Sequence, residues 1–338
     1  MRTWRAVKSL FSIFLFLIPI AASAASKKLP ALGADPARVS VSGLSSGAFM
    51  AVQYDVAFSA STIGVGVVAG GPYNCAYVNL GGIYTCMQSV PSGQASYQAA
   101  LGFDALDQID PVSNIATQKV YLFSGTKDPI VKQSVMDAVR DFYHAAQVPT
   151  ASIQYVNGLA AGHAFISDDF GNGCNATQAP FVNECPDGAT LYDQPAAVLT
   201  QIYGPLKPKA TTLSAQPVAF DQTGFAGALS GMASSGYVYV PASCQAAAAK
   251  CAVHVVFHGC SQSAQEVGNA VYGKLGYNEW ADTNGIIVLY PQVNKSTIPF
   301  NPQGCWDWWG YSGLNFQTKG GMQPSAVHAM VERLTAVR

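Results

Sequence analysis

A chain of 338 residues with 49% hydrophobic, 11% aromatic and only 11% charged side chains has enough apolar surface for a full core, which excludes a disordered or low-complexity protein. Lys and Arg number 18 against 19 Asp and Glu, a formal charge of −1, and no basic patch is visible, so nucleic acid is not an expected partner. With so few charges the surface must be covered by Ser, Thr, Asn, Gln, Gly and Tyr, which suits adsorption on an uncharged solid and equally suits an ordinary secreted protein.

The chain opens with Arg2, Arg5 and Lys8, continues with an apolar run from Leu10 to Ile20, and reaches Ala22-Ser23-Ala24, the small-x-small pattern of signal peptidase cleavage. Residues 1–24 are therefore read as an export signal, with the mature chain starting near Ala25. The run falls short of the roughly 20 residues of a membrane span, and no later stretch is long and apolar enough for one. A soluble, secreted protein is expected, extracellular or periplasmic, without a membrane partner. In such a compartment the eight cysteines are expected to form disulfides rather than hold a metal. No repeat, charge run or Thr/Ser/Pro-rich linker interrupts residues 25–338, so one large α/β domain without an appended binding module is expected.

Val39–Ser42 is the first strand-like run, and Gly43-Leu44-Ser45-Ser46-Gly47 follows it directly, ahead of a helix expected over Gly47–Ala57. Strand, G-x-S-x-G and helix in that order are the setting of a nucleophile elbow, in which small residues on both sides let a serine sit exposed on a sharp turn. A serine needs a histidine to take its proton, and the histidine needs a carboxylate to fix its tautomer. After a second strand, Ile63–Val68, and a third, Val120–Phe123, the first well-placed acid is Asp128 in Ser124-Gly125-Thr126-Lys127-Asp128. Asp104, Asp107 and Asp110 read as loop residues, while Asp137 and Asp141 fall inside the next helix, Val131–Ala146. The base is read as His163, in a small-residue loop after the strand Ile153–Val156. His144 reads as helical surface and His328 belongs to a terminal helix, Pro324–Val337.

The later strands are Tyr237–Val240, Ala252–Phe257 and Ile286–Tyr290, with a helix over Ala264–Val271. Several strands are β-branched on both faces, and they alternate with helices, as a mostly parallel, helix-flanked sheet requires. His254 and His258 share a strand face at i, i+4, but no further ligand accompanies them, so metal is not expected. His258-Gly259-Cys260 instead has the form of an oxyanion segment, with backbone donors expected at Ser46 and Cys260. Small loops favour pairing Cys75 with Cys86, Cys174 with Cys185, and Cys244 with Cys251, leaving Cys260 with Cys305; spacing alone does not fix that connectivity. The oxyanion strand follows the nucleophile strand instead of preceding it, so the fold is expected to be a circularly permuted α/β-hydrolase fold, disulfide-stabilised, with adjacent termini.

These motifs, together with Ala69-Gly70-Gly71-Pro72-Tyr73, Gly162-His163 and Gly304-Cys305-Trp306-Asp307-Trp308-Trp309-Gly310-Tyr311, make the sequence resemble the extracellular polyhydroxybutyrate depolymerases of the permuted, single-catalytic-domain type, across nearly the whole mature chain. The resemblance implies Ser45, Asp128 and His163 as the triad, Ser46 and Cys260 as oxyanion donors, and Trp306 in the substrate crevice; His258 and Trp309 are expected beside it. It also implies hydrolysis of poly(3-hydroxybutyrate) and its oligomers at a hydrophobic polyester surface, without a cofactor, by a protein expected to be monomeric. A feruloyl or acetylxylan esterase is the rival enzyme, and a binding protein on an inactive hydrolase scaffold the rival non-enzyme.

Overall fold

The computed structural model describes Met1, residues 27–246 and residues 249–338; the expected leader and cleavage site lie outside the described residues apart from Met1. Its centre is an eight-stranded sheet: β1 (Val39–Leu44), β2 (Thr62–Val68), β3 (Lys119–Phe123), β4 (Ile153–Val156), β5 (Val218–Asp221), β6 (Ser235–Tyr239), β7 (Ala252–Phe257) and β8 (Ile286–Tyr290). The order across the sheet is β5-β6-β8-β7-β1-β2-β3-β4. From β8 to β4 all neighbours are parallel, while β6 joins β8 and β5 antiparallel at one edge.

β1, β7 and β8 are buried on both faces. β8 reads as a continuous apolar run, as a doubly covered strand does, and β7 departs from that only at His254. β1 alternates valine with Ser40 and Ser42, whose hydroxyls bond the two His254 nitrogens. On one face Val41, Val65, Val255 and Leu289 pack with helices α1 (Ser46–Ala57), α3 (Gln133–Ala145) and α6 (Met322–Thr335), and α2 (Gly93–Asp104) lies against α3. On the other, Leu44, Val68, Tyr121 and Val256 pack with α4 (Gln194–Tyr203) and α5 (Tyr277–Asn284). Glycine enters β2 at Gly66 because α4 crosses there: a Cβ would stand 2.9 Å from the Val198 side chain.

The strand order sets β7, with its His-Gly-Cys end, directly beside β1, which leads into Ser45. The end of α6 lies against the start of the described chain, where the Leu32 and Ala34 amides donate to the Leu334 carbonyl. That is the adjacency of termini required by the permuted order. All four cysteine couples read from the sequence are bonded: 75–86, 174–185, 244–251 and 260–305.

Several expectations need correction. The helix expected over Ala264–Val271 breaks at Gly268, whose φ of +60° ends a first turn (Ala264–Val267) before a second starts (Ala270–Lys274). Asp104 is the last residue of α2, where its Oδ2 accepts from the Val112 amide, and not a loop residue. Strand β5 and helices α2, α4 and α5 were not anticipated, although Asp193 and Pro195 mark the start of α4 as cap and first-turn proline.

Asp55, on α1, is fully buried; Tyr143 donates to its Oδ2 at 2.8 Å, while its Oδ1 and the neighbouring Gln118 Oε1 have no partner among the described residues. Burial pushes this carboxyl up to about 8, and it pushes His254 down to about 3 and His258 down to about 4. For the histidines, the unfolded chain takes up protons that the folded chain refuses, so their contribution to stability is lost as pH falls from about 6.5 towards 4. For Asp55 the folded state keeps a proton that the unfolded chain releases, so stability is lost as pH rises from about 4 to about 8. Asp55→Asn removes that second slope and supplies a donor facing Gln118. Denaturant unfolding at pH 8.5 should then show a gain of about 2 kcal/mol over the parent, shrinking towards pH 5; a difference independent of pH would refute this account.

Candidate active site

Ser45 is the one residue between β1 and α1, held at φ 56° and ψ −123°. For a residue with a side chain that conformation costs about 1–3 kcal/mol and persists only where the surroundings enforce it. The enforcement is visible: the Ser45 amide donates to the Val68 carbonyl at the end of β2, at 2.9 Å. A Cβ on Gly43 would stand 2.2 Å from the Gly47 carbonyl oxygen, so the turn closes only with glycine there. Ser45 remains partly exposed while its neighbours are buried.

Asp128 follows β3. Its Oδ1 accepts from the amides of Ile130 (2.7 Å) and Val131 (2.9 Å), which aims Oδ2 at His163 Nδ1, 2.8 Å away. The two loops are laced together: Thr126 and Lys127 donate to the carbonyls of Leu159 and Ala161, and the His163 amide donates to Thr177 Oγ1 at 2.9 Å. With Nδ1 donating to the carboxylate, Nε2 holds the lone pair, and it has no partner among the described residues. Asp128 is 8% and His163 6% exposed.

Ser45 and His163 open onto one cavity of about 520 Å³. Its walls are apolar: Phe49 of α1, Ile83 and Met87 beside the Cys75–Cys86 bridge, Ile130 and Val131 after the acid, Phe181 from the loop bridged by Cys174–Cys185, and Trp308 and Trp309. Trp308 stacks on Phe49 with ring centroids 4.0 Å apart. Gly259 and Cys260 close the remaining side, with Cys260 tied to Cys305.

The amides of Ser46 and Cys260 have no acceptor among the described residues. The peptide carrying the Cys260 N–H is fixed from behind, since His258 Nδ1 donates to the Gly259 carbonyl at 2.7 Å, while His258 Nε2 accepts from the Val293 amide at 3.1 Å. Carbonyl and N–H of a trans peptide point in opposite directions, so anchoring the Gly259 oxygen sets the direction of the Cys260 donor. His258 itself, expected beside the substrate, is completely buried and does not line the cavity. Its burial favours the neutral ring that this bonding pattern needs.

Trp306 likewise departs from its expected place in the crevice: it is fully buried, edge-on to Phe257, and does not line the cavity. The cause is Asp307, a buried carboxylate that accepts from the amides of Trp309, Gly310 and Tyr311 through Oδ1 and from the Ser312 amide and hydroxyl through Oδ2. Those five bonds coil the loop so that Trp306 turns into the core while Trp308 and Trp309 line the cavity. Phe49, Ile83, Met87, Ile130, Val131 and Phe181 are wall residues that sequence reasoning missed. Phe49 carried a signal, standing one helical turn after Ser45.

A second serine–histidine pair exists, Ser40 Oγ to His254 Nδ1 at 2.7 Å, but both residues are fully buried and His254 is bracketed by Ser42 on its other nitrogen. His144 lies on α3 and His328 on α6, as helical residues. Among the described residues no group of three or more His, Cys, Asp or Glu could hold a metal ion, and no helix is long and apolar enough to cross a membrane.

No family model matches the chain. It is 43% identical over 322 residues to the poly(3-hydroxybutyrate) depolymerase of Delftia acidovorans, a match covering 92% of this chain and 62% of that protein, so the chain spans about three-fifths of that relative's length. It is 37% identical over 338 residues to the polyhydroxybutyrate depolymerase of Talaromyces funiculosus, covering 94% of this chain and 95% of that one. Among solved structures it is similar to PHB depolymerase from Penicillium funiculosum, at a TM-score of 0.84 and 37% identity, covering 91% of this chain and 99% of that chain. A serine-to-alanine PHB depolymerase complexed with R3HB trimer matches at 0.85 with the same identity and coverage. Similarity of this degree over almost the full length of the Talaromyces relative, together with the shared fold, shows that the chain belongs to the polyhydroxybutyrate depolymerase family.

Proposed function

We propose that this chain is a secreted serine esterase that hydrolyses poly(3-hydroxybutyrate) and its oligomers to 3-hydroxybutyrate and short oligomers. The observation that carries the reading is the apolar cavity that joins Ser45 to an Asp128-oriented His163, with the Cys260 amide on its wall and the Ser46 amide next to Ser45, neither bonded among the described residues. Ser45 Oγ attacks the ester carbonyl as His163 Nε2 takes its proton. The negative charge that grows on the carbonyl oxygen is met by the Ser46 and Cys260 amides, already in place and needing no reorganisation. His163 then protonates the departing alkoxide, and water repeats the sequence to free the acyl group.

The neighbours of the cavity residues suit a solid polyester. Leu80 and Tyr84 flank Ile83, Ile298 and Phe300 precede Gln303 in the loop closed by Cys305, and all four are exposed. Exposed apolar groups of this kind favour contact with an uncharged polymer. The four disulfides fit an oxidising, extracellular location.

Purified protein should clear an opaque suspension of poly(3-hydroxybutyrate) granules, with 3-hydroxybutyrate and its short oligomers identified by mass, while Ser45→Ala clears nothing. Loss of clearing should reach at least about 10³-fold in rate. Release of ferulate or acetate from plant cell-wall material with no attack on granules or oligomers would overturn the substrate, and clearing by Ser45→Ala would overturn the mechanism.

A further inference from the structure

Three successive amides, those of Gly259, Cys260 and Ser261, emerge where β7 ends at the cavity, and among the described residues only the middle one has no acceptor. The Ser261 amide donates to the Gln303 carbonyl at 2.6 Å. The Gly259 amide donates to Gln262 Oε1 at 2.7 Å. Gln262 is 1% exposed, and its Nε2 donates to the carbonyls of Pro180 (3.0 Å) and Phe181 (2.9 Å). One buried amide therefore uses its acceptor on the oxyanion loop and both donors on the loop that supplies the Phe181 wall. That second loop also holds the base, since Thr177 accepts from the His163 amide. Phe181 sits at φ +56°, a conformation that needs enforcement from outside.

We propose that Gln262 is a positioning residue for ester hydrolysis: by fastening the Gly259 amide to the Pro180 and Phe181 carbonyls it sets the gap between the Cys260 donor and the Phe181 ring, and with it the fit of the acyl group. The proposal rests on the esterase reading above. Gln262 touches neither Ser45 nor the cavity; it acts through what it holds. Its two ends should be separable. An acceptor is what the oxyanion loop requires, and two donors are what the Phe181 loop requires.

Glutamate at this position keeps the acceptor but, once ionised, turns a negative oxygen towards two carbonyl oxygens. Protonated, it donates to one of them. Gln262→Glu should thus behave nearly as the parent at low pH. As the new carboxyl ionises, KM for a soluble 3-hydroxybutyrate trimer should rise by about 10-fold while kcat changes little. Gln262→Met, similar in volume and unable to bond either loop, should lower kcat by about 10-fold through the loosened Cys260 donor and raise KM at every pH. Phe181→Ala combined with Gln262→Glu should abolish the pH-dependent rise in KM, because the two changes act on one contact.

Parent-like kcat and KM in Gln262→Met, or a KM in Gln262→Glu that is flat with pH in a folded protein, would overturn the proposal. If Gln262→Glu does not fold, Gln262→Met and its combination with Phe181→Ala decide alone. A 4-nitrophenyl butyrate assay runs in parallel with Ser45→Ala as blank. Should the parent cleave the nitrophenyl ester and leave the trimer intact, the polyester reading fails and the Gln262 test proceeds on the nitrophenyl ester.

Discussion

The Asp128→Asn variant should fold with an unchanged Tm and lose about 10⁴-fold in kcat on a soluble ester, the size seen where an isosteric asparagine leaves geometry intact and inverts the tautomer of a catalytic histidine. The inversion is dictated here by the two amides at the other oxygen. Ile130 and Val131 both donate to Oδ1, so in asparagine the carbonyl oxygen must take that place and the NH₂ group must face His163 Nδ1. An NH₂ can only donate, which leaves the lone pair on Nδ1 and the proton on Nε2. The nitrogen directed to the cavity then carries a hydrogen and cannot accept the one on Ser45. Because the substitution preserves volume and the bonds to Ile130 and Val131, stability should hold. Measuring kcat across pH 6–9 beside Tm checks both halves, and a loss under about 10-fold would mean that Asp128 does not govern the His163 tautomer.

The central strands were legible because burial on both faces makes them rich in β-branched and other apolar residues, as in β7 and β8, and short turn-bounded runs such as β4 stand out even at a half-exposed edge; all three have the bounds that their composition suggests. The cysteine couples were legible for a different reason, three of them spanning loops of 7 or 11 residues. What was hidden depends on side-chain direction in irregular segments. In Cys305-Trp306-Asp307-Trp308-Trp309 three rings are chemically equivalent to a reader of sequence. Which of them lies in the core and which at the cavity is settled by five hydrogen bonds to Asp307, and irregular backbone has no periodicity to announce that. Gln262 was hidden likewise: its partners are 3 residues away on one side and 81 and 82 on the other. Helix α4 was overlooked despite its cap and proline: at ten residues it is short, and the apolar side chains Val198 and Ile202 that mark its buried face pack on Gly66 and Gly64 of β2, a match that only the folded arrangement shows.

Gly47→Ala should be among the most disruptive single-methyl additions at this site. The added Cβ would stand 2.3 Å from the His258 carbonyl oxygen, 2.4 Å from that of Phe257 and 2.7 Å from the Phe257 carbonyl carbon. All three atoms are backbone of β7 and its continuation, so no side chain can swing aside; α1 must back away from β7 by about 1 Å to restore contact distance. That movement separates the two amides proposed as oxyanion donors, because the Ser46 amide travels with α1 while the Cys260 amide is held by the His258 ring and the Cys305 bridge. A displacement of about 1 Å at reacting groups costs about 10²-fold in rate, and forced overpacking against buried backbone should cost about 3 kcal/mol of stability. Gly102→Ala is the matched control. Gly102 lies on α2 with nothing within 4 Å of an added Cβ, so the same methyl there should raise stability by up to about 1 kcal/mol and leave kcat unchanged. Denaturant unfolding and kcat on a soluble ester for the pair separate steric closure of the elbow from the general effect of losing a glycine. If Gly47→Ala retained the parent's kcat, α1 and the oxyanion strand would not be in the contact on which the geometry of this site depends.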